Sequence, residues 1–191
     1  MSSGRKHKDK GAADGQPPSG QASGSDEATG SAVTPTWPHQ IRLLLDSRRL
    51  RDQPSSTAAV AAVWQKAVEC AHDAELPKLS IDGGLRLAYD AGHLAALALL
   101  AAHGLRTGSG PGHHDLAFYG AAAFGHLGLE HLVPDSEEVR SLRKGSMYDP
   151  VIAGRREQKA ALAWMQRTLP AIRDALLVAR PQLSGVLTQY R

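Results

Sequence analysis

Apolar residues recur at intervals of three and four along most of the chain beyond Trp37. This spacing places them on one face of an α-helix, so it predicts a helical protein. The pattern predicts a short helical piece around residues 41–48 and longer helices over about 57–76, 81–103, 113–132, 134–143 and 156–179. No stretch shows a strand signal, and no internal repeat stands out. The sequence therefore predicts an all-α, up-and-down bundle of four to five main helices.

Residues that begin, end or interrupt helices divide this pattern into segments. Ser55–Thr57 offers an N-cap for the helix that follows Pro54. Asp135 and Glu138, three residues apart, have the spacing of a reciprocal cap at the start of a later helix. Pro170 lies inside the last predicted helix and should kink or divide it, because proline removes a backbone donor.

The helix predicted over 81–103 has the strongest signal and a broad face of small residues. Gly92 lies inside it, although glycine there costs about 1 kcal/mol relative to alanine. Close packing against a neighbouring helix would explain why glycine occupies this position. Gly104 stands where a left-handed C-cap belongs, and residues 104–112 are predicted to be a loop.

The first 35 residues have a different composition from the rest. They are rich in Gly, Ser, Ala and Pro and lack the large apolar side chains that would offset the entropy of ordering. We expect a disordered tail over 1–35, whose basic RKHKDK cluster either solubilises the protein or contacts nucleic acid. A helical domain over 36–191 should follow, with its core at about 57–179.

Composition supports helices, and charge separates two regions of the chain. Hydrophobic residues make up 42% of the chain while aromatics make up 5%, which favours packed helices over a β-sandwich. Residues 53–139 hold four Lys/Arg against ten Asp/Glu, net −6, and residues 140–191 hold ten against three, net +7. This asymmetry indicates either a polyanionic partner or two parts of one fold that neutralise each other.

The sequence indicates a protein of the cytoplasm. Cys70 is the single cysteine, so no disulfide forms within the chain, and its apolar neighbours suggest a buried thiol. The charged N-terminus is not followed by the apolar core of a signal peptide. The apolar stretch over 94–102 is too short to cross a membrane. No cofactor is expected.

His93 and three polar neighbours form one candidate cluster. Arg86, Tyr89, Asp90 and His93 fall on adjoining faces of one predicted helix, where they form either a structural hydrogen-bond network or a site.

Four further histidines could in principle bind a metal ion: His113, His114, His126 and His131. His126 and Glu130 have ligand spacing, but no two histidines stand four apart on one face, so no metal site is predicted.

The segment RKGSMYDP, Arg143 to Pro150, is the last candidate. Together with LAYDAGHLAALALLAAHGLR, GPGHH and the closing Ala-rich helix, RSLRKGSMYDP resembles HEPN-domain proteins over about residues 57–179. Many of these proteins carry an Arg-x4-His motif, often with Asn after the Arg, at a dimer interface. There it forms a metal-independent site for RNA cleavage. The resemblance implies a homodimer in which Arg143 matches the motif Arg, Lys144 the Asn and Tyr148 the His.

Tyr148 departs from the family pattern where a general base is needed. The pKa of a tyrosine is about 10, against about 6.5 for histidine, so it is poorly suited to remove a proton near pH 7. Tyr148 can still donate a hydrogen bond to a phosphate. Catalysis would require His93, His113 or His114 to lie beside Arg143 as a substitute base.

Three functions follow from this resemblance. The first is a non-catalytic or weakly catalytic member of a toxin–antitoxin or defence-type system that contacts RNA or phosphate through Arg140, Arg143 and Lys144, with Tyr148. The second is an active metal-independent ribonuclease with a relocated histidine base. The third is a protein-interaction module that partners a neighbouring gene product. A purely structural explanation is also open: Arg143 caps a helix, Tyr148 packs on the bundle and Asp149-Pro150 turns the chain.

Overall fold

The computed structural model describes residues 37–109, 113–148 and 154–190, without the side chains of residues 113, 114, 125 and 146–148. The predicted tail over 1–35 and the Asp149-Pro150 turn lie outside the described residues. Helices dominate the described part, which confirms the all-α prediction. The α-helices are α1 (His39–Asp46), α2 (Thr57–Ala74), α3 (Ile81–Ala102), α4 (His113–Ala122), α5 (Leu132–Tyr148) and α6 (Arg155–Ala179), and 3-10 helices span Gly125–Leu127 and Pro181–Gly185.

Helix α3 is the centre of the bundle, and α2, α4, α5 and α6 all contact it. Its buried positions are mostly small, with Ala88, Ala95 and Ala96 fully buried. A Cβ added at Gly92 would overlap the indole ring of Trp164 on α6. The predicted close approach at Gly92 is therefore confirmed, and it explains the glycine in mid-helix.

The predicted start of α2 is also confirmed. Ser56 is the N-cap, and its hydroxyl accepts a hydrogen bond from the Ala59 backbone N–H at 3.1 Å. Ser80 caps α3 in the same way through the Gly83 N–H. Gly104 has φ +73°, as the left-handed C-cap prediction requires.

The structure contains two short strands that no signal in the sequence indicated. Two three-residue strands, β1 (Leu50–Asp52) and β2 (Leu105–Thr107), pair antiparallel with Leu50 opposite Thr107. Strand β2 occupies part of the segment predicted to be a loop. Three residues are too few to show an alternating pattern, so the pairing of these distant segments could not be read from the sequence.

Two helix boundaries also differ from prediction. Helix α4 ends at Ala122 instead of Leu132, because a turn with Gly128 at φ +69° follows it. Helix α5 begins at Leu132, before the predicted Asp135 cap, and tolerates Pro134 in its first turn, where the helix lacks backbone acceptors. It continues to Tyr148, so Arg143 lies inside the helix and does not cap its end.

The last helix is not divided at Pro170. Helix α6 runs through Pro170 from Arg155 to Ala179, and it ends before Pro181 as predicted. Leu169 and Ile172, on either side of the proline, are fully buried, so packing holds both halves of α6 against the bundle. Burial of this face outweighs the one backbone hydrogen bond that proline removes.

Helix α3 is long and apolar enough to cross a membrane, in contrast to the shorter apolar stretch expected from the sequence. However, 61% of its apolar window is buried inside the protein. Its apolar surface therefore serves as the core of a helical bundle. Cys70 is half-buried on α2, and burial raises the pKa of its thiol, so less of it is ionised to the thiolate at neutral pH.

Candidate functional site

Arg143 sits at the end of the stripe of α5 that faces the bundle. Leu132, Ser136 and Val139 precede it at helical spacing, and all three are buried. Arg143 continues this stripe, so its side chain lies against α3 and remains 31% exposed. The helical spacing that buries this stripe of α5 therefore also places the Arg143 guanidinium at the surface between α5 and α3.

The Arg143 guanidinium contacts two groups of α3. Its central carbon lies 5.1 Å from the centroid of the Tyr89 ring, a cation–π distance. One of its nitrogens lies 3.8 Å from a carboxylate oxygen of Asp90. Arg86, one turn earlier on α3, also approaches Asp90, at 3.7 Å. Asp90 is thereby shared by two arginines from two helices.

Arg140 makes a second ion pair across the helices. Its guanidinium lies 2.5 Å from the Asp115 carboxylate on α4, and the two side chains are 30% and 23% exposed. Lys144 follows Arg140 by one turn of α5 and is exposed. Arg86, Arg140 and Arg143 pair with two carboxylates, Asp90 and Asp115. Lys144 is next to Arg143 in α5, so this group carries an excess of two positive charges. We call these six residues the α5 basic site.

An aromatic cluster lies beneath the α5 basic site. The rings of Tyr89 and His93 are nearly parallel, 6.1 Å apart between centroids. Phe118 of α4 is tilted against both, at 5.8 and 5.9 Å. Among the histidines predicted as substitute bases, His93 therefore lies one aromatic ring away from Arg143. The sequence cluster of Arg86, Tyr89, Asp90 and His93 is brought together as its spacing predicted.

Tyr89 itself is not a proton-transfer group near neutral pH. Burial raises the pKa of its hydroxyl above the ordinary value, and the nearby Asp115 carboxylate raises it further. Arg140 and Arg143 act in the opposite direction but do not reverse the shift. The phenol therefore stays protonated, and its ring supports the Arg143 guanidinium.

Three of the predicted site residues cannot be placed relative to Arg143. The side chains of Tyr148, His113 and His114 lie outside the described part of the structure. Residues 143 and 148 both belong to α5, and positions five apart in an α-helix differ by about 140° around its axis. The proposed roles of Tyr148, His113 and His114 stay predictions.

His126 and His131 are exposed, beyond the end of α4. Among the described residues, no group of three His, Cys, Asp or Glu side chains has an arrangement that could hold a metal ion.

No local pattern predicted two residues of this region. Asp115 and Phe118 come from α4, some 25 residues from their partners in α3 and α5, and no local spacing connects them. Only the packing of α4 against α3 and α5 brings the Asp115 carboxylate to Arg140. No protein-family model matches this chain, and neither a curated protein nor a solved structure matches it.

Proposed function

We propose that this chain is a HEPN-like helical protein that contacts RNA through phosphate groups at the α5 basic site, without catalysis or with weak catalysis. In this proposal it acts as a homodimer in the cytoplasm, in a toxin–antitoxin or defence-type system. The oligomer and the system come from the resemblance of RSLRKGSMYDP and its flanking helices to that family. The arrangement of the arginine side chains in the α5 basic site also supports the phosphate contact.

The observation that carries the proposal is the way Arg140 and Arg143 are held. Each guanidinium is fixed on one side by a carboxylate and stays about one-third exposed on the other. A guanidinium presents five N–H donors in a planar fork that matches a phosphate, and the exposed part of each side chain is accessible to one. Because the side chains are already ordered, little further rotamer entropy is lost on binding.

Arg143→Ala tests this site directly. We expect it to weaken binding of single-stranded RNA about tenfold and to reduce the slope of log affinity against log salt by about one, since one phosphate contact is lost. Fluorescence anisotropy with a labelled oligonucleotide over a salt series measures both quantities.

Arg173→Ala is the matched control. Arg173 on α6 is 26% exposed and approaches the Asp174 carboxylate at 3.9 Å, so it resembles Arg143 in exposure and pairing. RNA affinity should be unchanged in this variant. Equal affinity of wild type and Arg143→Ala for RNA would refute the proposed site.

A metal-independent ribonuclease is the second candidate, because His93 lies one ring from Arg143. In that reaction His93 takes the proton of a ribose 2′-hydroxyl, and the 2′-oxygen bonds to phosphorus. The bond to the 5′-oxygen breaks, and that oxygen gains a proton from water, which leaves a 2′,3′-cyclic phosphate. Arg143 would stabilise the charge on the phosphate.

The ribonuclease candidate requires cleavage of total RNA that persists in excess chelator. Both His93→Gln and Arg143→Ala should abolish it, as seen on a denaturing gel, while Arg173→Ala should cleave like wild type. Intact RNA after prolonged incubation with wild-type protein would exclude this activity and leave the binding function as proposed.

A further inference from the structure

A groove runs between α1 and α4 on the described part of the molecule. It has a volume of about 1110 Å³ and an apolar lining of Leu43, Leu44, Tyr119, Ala122, Ala123 and Val133. Leu43 is 54% exposed and Tyr119 is 42% exposed, although both are large apolar residues. We call this feature the α1–α4 groove. Its exposed apolar lining is typical of a surface that packs against another molecule.

Carboxylates surround the apolar lining. Asp115 and Glu130 contribute to the groove, and Glu137 borders it by accepting a hydrogen bond from the Tyr119 hydroxyl at 2.8 Å. Arg49 is the single Lys or Arg among the described lining residues. Asp115 is paired with Arg140. Glu130 and Glu137 against Arg49 therefore leave the groove with an excess of one negative charge.

The charge of the groove determines what can occupy it. Nucleic acid is disfavoured, because its phosphates would lie near Glu130 and Glu137. A cationic surface with an apolar stripe would satisfy both the carboxylates and the apolar lining. We infer that the α1–α4 groove binds a basic amphipathic helix of a protein partner, with leucine-like side chains against Leu43 and Tyr119 and lysine or arginine beside Glu130 and Glu137.

The size of the groove fits such an occupant. A helix about 10 Å across that rises 5.4 Å per turn fills about 420 Å³ per turn. The open groove of about 1110 Å³ is thus large enough to hold one face of such a helix over about two turns. Helices commonly bind in this way, with apolar anchors three and four residues apart in a groove between two helices.

The test uses the full chain and a labelled 18-residue peptide of leucine and lysine with leucines at helical spacing. Leu43→Ser and Glu130→Lys should each weaken peptide binding about tenfold, measured by fluorescence anisotropy. Loss of one leucine contact accounts for such a change in Leu43→Ser, and repulsion between the new lysine and the lysines of the peptide accounts for it in Glu130→Lys. A peptide in which glutamate replaces lysine should not bind the wild-type protein.

Two matched variants separate the groove from general surface effects. Leu76 is 55% exposed on another surface, so Leu76→Ser removes an equally exposed leucine, and Asp73→Lys makes the same charge reversal on α2. Both should bind the peptide within twofold of wild type. Circular dichroism melting of all four variants checks that they are folded.

Three results would overturn the inference. One is no binding of the leucine–lysine peptide to wild type, and another is equal binding by wild type and both groove variants. The third is that Leu43→Ser and Glu130→Lys change affinity for oligouridylate while leaving peptide affinity unchanged, which would make the groove a nucleic-acid site.

Discussion

At the scale of single residues, burial decides the behaviour of ionisable groups more than sequence neighbours do. His103 ends α3, and its ring stacks on Phe124 with 3.8 Å between centroids. Burial is the largest of three causes, with the nearby His126 and Arg180, that together lower the pKa of His103 from 6.5 to about 4. Arg180 donates to the Ala102 carbonyl at 2.6 Å, so a guanidinium already occupies the end of α3.

The low pKa of His103 predicts that the protein loses stability in mild acid. The unfolded chain takes up the proton near pH 6.5 and the folded chain near pH 4, so stability is full above pH 7 and falls between these values. With a discount for the partial exposure of the ring, about 1 kcal/mol should be lost between pH 7 and pH 5.

Urea unfolding of wild type and His103→Leu at the two pH values measures this loss. The variant should lose about 1 kcal/mol less than wild type on acidification, because the unfolded chain no longer gains this proton. His131→Gln removes an exposed histidine that is not among the groups shifting the pKa of His103, so it is the control and should behave nearly as wild type. Identical pH dependence of wild type and His103→Leu would contradict the assignment.

At the scale of secondary-structure elements, α3 packs closely against both α2 and α6. Gly92 was predicted to allow a close approach, and the approaching group is the Trp164 ring. The partner could not be named from sequence, because many apolar side chains of α6 have the same helical spacing. The bundle thus depends on one small residue and one large residue that meet across two helices.

Gly92→Ala should therefore destabilise the protein, although alanine is the better helix former. The added methyl group gains about 1 kcal/mol of helix propensity but forces the Trp164 indole to move, and overpacking costs about 1–3 kcal/mol. We expect a net loss of about 1 kcal/mol, seen as a lower Tm by calorimetry. Gly185→Ala is the control, because a Cβ there would contact nothing within 4 Å. A higher Tm for Gly92→Ala would show that this contact relaxes easily.

At the scale of the whole molecule, the uneven charge of the sequence has two consequences. The pairs Arg140–Asp115 and Arg143–Asp90 join the basic last third to the acidic middle, so part of the asymmetry is neutralised within the fold. What remains is divided between two neighbouring features that share Asp115: an excess of positive charge lies at the α5 basic site, and Glu130 and Glu137 lie at the α1–α4 groove. Such separation is suited to two partners of opposite charge.

The α5 basic site was only partly predictable. The spacing of Arg86, Tyr89, Asp90 and His93 placed them together on α3, because neighbours three and four apart on a helix share a face. No local spacing in the sequence predicted that Arg143 would contact these residues. It depends on where α5 packs, and α5 proved longer at both ends than its cap signals indicated.

The sequence by itself determined the helical class, the positions of α2, α3 and α6, and the glycine positions that packing and capping require. These features depend on periodicity and backbone preference, which act over a few residues. Only the tertiary structure decided the β1–β2 pairing, the ion pair between Arg140 and Asp115 and the exposed groove between α1 and α4. Each of these depends on contacts between segments distant in the chain, where burial and charge act through space and leave no local pattern.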